Sequence, residues 1–118
     1  MSSDPTTEQL LPLSPSTLHI LLALAEGPRH GYAIIQDVEA RTDGELRMSA
    51  GTLYRSIARM VEQGLITEVA NRRTRAEDER RRYYRLTPFG TAAARAEVRR
   101  LSQLVRHARA RGLTPGLA

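Results

Sequence analysis

The chain contains no cysteine and no tryptophan, and none of its apolar runs is long. The lack of cysteine excludes a disulfide framework, a zinc ribbon and thiol catalysis. The longest apolar run, residues 20–25, is far too short to cross a bilayer, and the acidic Asp4 and Glu8 do not fit the basic start of a secretion signal. These absences predict a soluble cytoplasmic protein with no membrane partner.

Charge is distributed unevenly along the 118 residues, whose formal net charge is +5. Residues 1–48 hold three arginines and seven acids, whereas residues 49–118 hold fifteen arginines and six acids. The length predicts a single domain. The basic second half predicts a polyanionic partner such as nucleic acid.

The basic half begins with the run SAGTLYRSIARMVEQG, residues 49–64. Ser49 is a typical N-cap, and Gly64 is a typical helix stop. The apolar residues between them recur at helical spacing: Leu53, Ile57, Met60 and Val61. The pattern predicts an amphipathic helix that turns these four residues toward the core.

The opposite face of this predicted helix carries Thr52, Arg55, Ser56 and Arg59. Small residues let the start of a helix approach a phosphate or a base edge closely, and arginine can donate two hydrogen bonds to guanine or phosphate. The face is therefore a candidate for insertion into a DNA groove. An ordinary solvated helix face is the alternative.

A basic hairpin follows the helix. Residues 65–69 and 80–86 are predicted strands, residues 71–79 form the charged loop between them, and Thr87 with Pro88 begins another helix. This order predicts a mainly α fold with a small β-hairpin, the winged helix-turn-helix. The hairpin arginines are candidates for phosphate contacts, with a solvated charge run as the alternative. Those assigned to DNA are Arg72, Arg73, Arg75, Arg80, Arg81 and Arg82.

The winged helix-turn-helix domain is expected to span residues 14–87, preceded by a flexible arm at residues 1–13. Its first helix starts at Ser14 and Pro15, continues to Gly27, and is apolar on nearly every side. The second helix is expected to begin near His30, to place Tyr32, Ile35 and Val38 on its inner face, and to end at residues 42–44. It pairs with the helix at residues 49–64 as a helix-turn-helix.

Residues 88–112 are predicted to form a dimerisation helix, followed by a disordered tail at residues 113–118. Apolar residues recur there at alternating steps of four and three: Ala94, Val98, Leu101, Val105 and Ala108. This seam is too short for a coiled coil by itself. We expect it to pack on Leu18 and Leu22 of a second copy, with packing inside one chain as the alternative.

Five groups of residues carry a family resemblance. They are the helix at residues 18–26, His30-Gly31-Tyr32-Ala33-Ile34, Gly51-Thr52-Leu53-Tyr54, Glu62-Gln63-Gly64-Leu65-Ile66, and residues 82–90. In this order and spacing they resemble the PadR family of bacterial transcriptional regulators, in its compact branch with one short C-terminal helix. The resemblance implies a homodimer that binds an inverted-repeat operator on double-stranded DNA, usually represses, and is released by an effector, such as a small hydrophobic molecule. Some members of that branch hold a planar ligand between tryptophans, which this chain lacks.

The hypothesis assigns the major groove to the exposed start and polar face of the recognition helix: Ser49, Ala50, Gly51, Thr52, Arg55 and Arg59. Tyr32 and Tyr54 are assigned to phosphates beside helix starts, and a ring in the core is an equal alternative for each.

Other functional classes find less support in the sequence. The histidines His19, His30 and His107 are far apart, so no metal site or cofactor is expected. No catalytic motif predicts an enzyme. The main alternative is a winged helix that binds a partner protein and not specific DNA. A MarR-like regulator would need longer flanking helices than this chain has.

Overall fold

The computed structural model describes residues 6–70 and 82–113. In chain order the elements are α1 Thr7–Leu10, α2 Pro15–Ala23, β1 Arg29–His30, α3 Gly31–Arg41, α4 Ala50–Glu62, β2 Ile66–Val69, β3 Tyr83–Leu86 and α5 Pro88–Ala110. The strands form one antiparallel sheet with β3 in the middle. The helices and the hairpin follow the predicted winged helix order.

Side-chain caps define where the helices begin. The Ser49 hydroxyl accepts a hydrogen bond from the Thr52 N–H at 3.1 Å, and the Thr87 hydroxyl accepts one from the Gly90 N–H at 2.9 Å. Both caps were predicted, and Gly64 has the positive φ of 78° expected of a helix stop. The local sequence therefore fixes the start and end of α4.

The core lies where α2, α3, α4 and the sheet meet. Its fully buried large apolar side chains are Ile20, Leu21, Ile34, Val38, Leu53, Met60, Leu65 and Ile66. The hydrophobic effect, through the burial of this apolar surface, is the main contribution that holds the helices against the sheet. Leu53, Ile57 and Met60 face the core as the helical spacing predicted.

Two inward positions were predicted wrongly. Val61 is 42% exposed, because it lies at the edge of the buried stripe of α4. Tyr32 is 62% exposed, because Gly31, Ile34 and Val38 form the inner face of α3 instead. Tyr32 is therefore not a core residue.

Two elements were missed by the sequence analysis. β1 pairs with β3, so the predicted hairpin is the larger part of a three-stranded sheet. α1 is a single helical turn inside the predicted arm. A strand of two residues and a helix of four are too short to leave a hydrophobic period in the sequence.

The long helix α5 is buried only along its first half. Its buried residues are Gly90, Ala93 and Glu97, at helical spacing. Val98, Leu101 and Val105 of the predicted seam remain exposed, as does Leu104. Packing of the whole seam within one chain is therefore excluded for the described residues.

Among residues 6–70 and 82–113, no helix is both long and apolar enough to span a membrane. The same residues hold no group of three histidine, aspartate or glutamate side chains placed to bind a metal ion.

Candidate nucleic-acid interface

The outer face of α4 presents every residue assigned to the major groove. Ser49, Ala50, Gly51 and Thr52 are exposed around the first turn, and Arg55 and Arg59 are exposed one and two turns further on. Residues three and four apart lie above one another on a helix, so these side chains form one continuous stripe. Nothing lies within 4 Å of the position that a Cβ atom of Gly51 would take, which leaves the start of the stripe open.

The start of α2 lies beside this stripe. Ser14 and Thr17 line a polar pocket together with Thr52, Arg55, Ser56 and Arg59 of α4. Its lining residues within the described part of the chain thus supply hydroxyl and guanidinium groups from two helices and no carboxylate. Neither Ser14 nor Thr17 was predicted as a site residue, because a contact between residues so far apart in sequence leaves no local signal.

The arginines of α4 differ in their ion pairing from the arginines on or beside α3. Arg41 pairs with Asp37 at 2.7 Å, and Arg47 lies 3.6 Å from a carboxylate oxygen of Glu39. Arg55 contacts the Thr52 hydroxyl at 3.4 Å. Within the described residues, neither Arg55 nor Arg59 forms an ion pair. We therefore expect both guanidinium groups to be available to an anionic ligand.

The two tyrosines lie where α4 meets the start of α3. Tyr54, on α4, is 49% exposed, and its hydroxyl lies against the first residue of α3, since a Cβ atom at Gly31 would come within 2.6 Å of it. Tyr32 lies one residue further along α3 and is more exposed. Neither tyrosine belongs to the buried core, so the alternative of a core ring is wrong for Tyr32 and also for Tyr54, whose ring is half exposed and packs against Gly31.

The base of the wing holds one of the predicted arginines. Arg82 is exposed, and its guanidinium lies 3.9 Å from the Glu68 carboxylate on β2. Burial and the nearby charge of Glu68, its partner on β2, together raise the pKa of the buried Tyr84. The other predicted wing residues, Arg72, Arg73, Arg75, Arg80 and Arg81, lie outside the described residues.

A groove between α2 and α5 gathers several residues assigned to dimerisation. Leu22, Ala94 and Val98 line it with Leu21, Ala25 and Leu86. Leu101 and Val105 continue along the exposed half of α5, while Leu18 and Ala108 are half-buried. The seam and the exposed side of α2 therefore form one continuous, largely apolar surface, in which Thr91 and Arg95 are the polar residues that line the groove.

Glu97 is a buried charged side chain at the point where α5 leaves the core, and it is 1% exposed. One carboxylate oxygen accepts a hydrogen bond from the Leu13 N–H at 2.5 Å, and the other accepts one from Arg100. The bond from Arg100 outweighs the effect of burial and lowers the pKa of Glu97. The sequence analysis missed this residue, because its partner Leu13 lies 84 positions away.

Residues 20–96 match the sequence profile of the transcriptional regulator PadR-like family. These residues contain the core, α4 and the hairpin described above. The chain belongs to the PadR-like family. Its members are transcriptional regulators and not enzymes, so the expected family and the expected lack of catalysis are both confirmed.

Relatives of this PadR-like protein agree in sequence and in fold. Transcriptional regulator Rv3488 of Mycobacterium tuberculosis is 36% identical over 89 residues, which cover 75% of this chain and 78% of the relative. A PadR family regulator from Clostridium difficile superposes with a TM-score of 0.69 at 22% identity, over 81% of this chain and 96% of the other. PadR of Bacillus subtilis, solved in complex with operator DNA, superposes with a TM-score of 0.59 at 18% identity, over 74% of this chain and 48% of the other. The winged helix fold is thereby confirmed.

Proposed function

We propose that this PadR-like protein is a sequence-specific DNA-binding regulator that acts as a dimeric repressor and is released by an effector. The observation that carries the proposal is the exposed polar stripe of α4, where Arg55 and Arg59 have no acidic partner among the described residues. A side chain that reads a base edge must be exposed in the free protein and free to donate. The structure of Bacillus subtilis PadR with operator DNA supports the same role for this fold.

In this proposal α4 enters the major groove. Arg55 and Arg59 donate to base edges or phosphates, and the small residues Ala50 and Gly51 allow the start of α4 to approach the bases. The polar pocket lined by Ser14, Thr17 and the α4 stripe fits a backbone phosphate, because its hydroxyl and guanidinium groups can all donate hydrogen bonds to one. Phosphate contacts set the register of the helix, and base contacts give the sequence preference.

The tyrosines and the wing act on the DNA backbone. The Tyr54 hydroxyl lies beside the start of α3, and the exposed Tyr32 is the second residue of that helix, so both are proposed to contact a phosphate that the helix start favours electrostatically. The wing arginines, including Arg82, neutralise phosphates on the flank of the site. These contacts add affinity that depends on salt and carry little sequence information.

Dimerisation through α5 brings two copies of α4 to one operator. Four large apolar residues, Val98, Leu101, Leu104 and Val105, are exposed on the half of α5 that extends beyond the core. A contiguous exposed apolar surface of this kind is typical of a protein interface. We propose a second copy of the chain as the partner, because the two-fold symmetry of such a dimer would match the two half-sites of the proposed inverted-repeat operator.

The main rival is a winged helix that binds a partner protein and not specific DNA. The exposed apolar surface of α5 favours this rival, whereas Arg55 and Arg59 of α4, which have no acidic partner among residues 6–70 and 82–113, do not. The effector is proposed as a small hydrophobic molecule, for which the apolar groove between α2 and α5 offers a place at the dimer interface.

Selection from a pool of randomised duplexes tests the proposal. We expect enriched sequences to contain two half-sites related by two-fold symmetry, with centres one helical turn, about 10 base pairs, apart or a multiple of it. Footprinting on the protein's own upstream DNA should protect the same sequence. Enrichment of no sequence from a protein that still binds the pool would favour the protein-interaction alternative.

A further inference from the structure

The buried carboxylate of Glu97 has no part in the proposed DNA interface or in the apolar dimer surface. It is the last buried residue of α5, so it lies where the helix passes from its own domain to the exposed dimer surface. Burying a charge is costly unless it is paired and hydrogen-bonded. A carboxylate at this point in the fold therefore calls for an explanation beyond packing.

The partners of Glu97 link two distant parts of the chain. Arg100 belongs to the same helix, whereas Leu13 belongs to the segment that leads into α2. Leu10 and Leu13 also pack against the core. The carboxylate thus fastens residues 10–13 to α5.

The next residue, Ser14, belongs to both the fastened segment and the polar pocket. Its hydroxyl accepts a hydrogen bond from the Thr17 N–H at 3.2 Å and so caps α2. Both Ser14 and Thr17 line the pocket with Arg55 and Arg59. A chain of direct contacts therefore runs from α5, through Glu97 and Leu13, to the pocket beside α4.

We infer that Glu97 is a positioning residue that couples the dimer helix α5 to DNA binding by fixing the start of α2 beside α4. The inference rests on the proposed function. Without the carboxylate, the Leu13 N–H loses its acceptor, and the segment that leads into α2 is held less firmly against α5. Ser14 and Thr17 then no longer hold a fixed position toward the phosphate, and the DNA complex loses preorganised contacts.

Three single variants of the full chain test the inference. Glu97→Ala removes both hydrogen bonds, and Glu97→Gln keeps an acceptor for the Leu13 N–H. Glu8→Ala is the matched control, because it removes one acidic charge from an exposed site in the same arm. Loss of an acid by itself should strengthen binding to DNA, so weaker binding by Glu97→Ala cannot be a charge effect.

We expect Glu97→Ala to bind the selected operator about fivefold or more weakly than the wild type, within the usual range of coupling between sites. Glu97→Gln should recover most of the affinity, and Glu8→Ala should bind at least as well as the wild type. Amide hydrogen exchange of residues 6–14 should accelerate in Glu97→Ala and stay slow in Glu97→Gln. These exchange rates report the attachment of the arm even if Glu97→Ala is less stable.

A double variant separates coupling from a general loss of stability. Combined with Ser14→Ala, Glu97→Ala should weaken binding little further, because both changes act on the same turn. Additive losses in the double variant would overturn the inference, as would wild-type affinity for Glu97→Ala. The proposed function would still stand in either case if the wild type binds DNA with sequence preference. A wild type without sequence preference would refute the proposed function itself.

Discussion

Gly90, in the first turn of α5, packs its backbone directly against the carbonyl oxygen of Leu65, just beyond α4. A Cβ atom at Gly90 would come within 1.9 Å of that oxygen. The same oxygen accepts a hydrogen bond from the Thr87 N–H at 3.1 Å. The segment just beyond α4 and the start of α5 are therefore in backbone contact, and a shift of one against the other must disturb this junction.

Replacement of Gly90 should be costly because the obstructing atom belongs to the backbone. We expect Gly90→Ala to lower the free energy of unfolding by about 1–3 kcal/mol or more, the usual cost of overpacking. Gly51→Ala is the matched control in the first turn of α4, where a Cβ atom meets nothing within 4 Å. It should leave stability unchanged or raise it by up to about 1 kcal/mol. Urea denaturation of both variants measures the difference, and equal stability would contradict the described junction.

Base contacts and phosphate contacts should respond differently to mutation. Arg55→Ala should cost about 1–3 kcal/mol of operator binding and relax the preference at one base position, because it removes a donor to a base edge. Arg73→Ala, in the predicted wing, should weaken binding to all sequences alike and lower the salt slope by about one. Titrations with operator and scrambled duplexes distinguish the two. Equal, sequence-independent losses from both variants would refute the assignment of α4 to base reading.

A charge in the exposed apolar surface of α5 should prevent dimerisation. Leu101→Arg places an unpaired cation among Val98, Leu104 and Val105, and desolvating that charge in an interface is unfavourable. Gln103→Arg adds the same charge two residues away, on a different side of the helix. Sedimentation velocity should show a monomer for Leu101→Arg and a dimer for Gln103→Arg. A dimer for both variants would mean that this surface is not the interface.

Stability should depend on the ionisation of Glu97. Its pKa is lower in the folded chain than in the unfolded chain, so the ionised form favours folding. This contribution is complete above the ordinary glutamate pKa of about 4.3 and disappears as the pH falls through the lower folded value. Glu97→Gln has no ionisable carboxyl and therefore lacks this contribution. Near pH 7 the wild type should be more stable than the variant by about 1–3 kcal/mol, the cost of losing hydrogen bonds to a charged group.

Thermal unfolding of the two proteins between pH 7 and pH 3 measures this advantage. It should shrink steadily below about pH 4, close to the pKa of an ordinary glutamate. A constant difference across the whole range would show that the pKa of Glu97 is the same in the folded and the unfolded chain, which would contradict the lowered pKa.

Features fixed by local sequence were predictable. Ser49, Thr87 and Gly64 mark helix ends through interactions within a few residues, and the structure places all three as expected. The inner side of α4 also follows from its period, except that Val61 falls at the edge of the stripe, where a helix period cannot decide between burial and exposure.

Features that depend on contacts between distant residues were not predictable. Three such contacts join segments that are distant in sequence: the pocket formed by Ser14 and Arg55, the pairing of β1 with β3, and the hydrogen bond from Leu13 to Glu97. Glu97 in particular looks in sequence like one more polar residue among the arginines of α5. The burial of Tyr32 was predicted wrongly because the packing of α3 in three dimensions turns Ile34, and not Tyr32, toward the core.

The most direct test is a fluorescence-anisotropy titration of the purified protein with its own upstream DNA and with a scrambled duplex of equal length, over a series of salt concentrations. The account predicts a preference for the upstream DNA that persists as salt is raised, with two chains bound per site. Equal affinity for both duplexes, abolished together by salt, would contradict it and leave only a basic surface without sequence recognition.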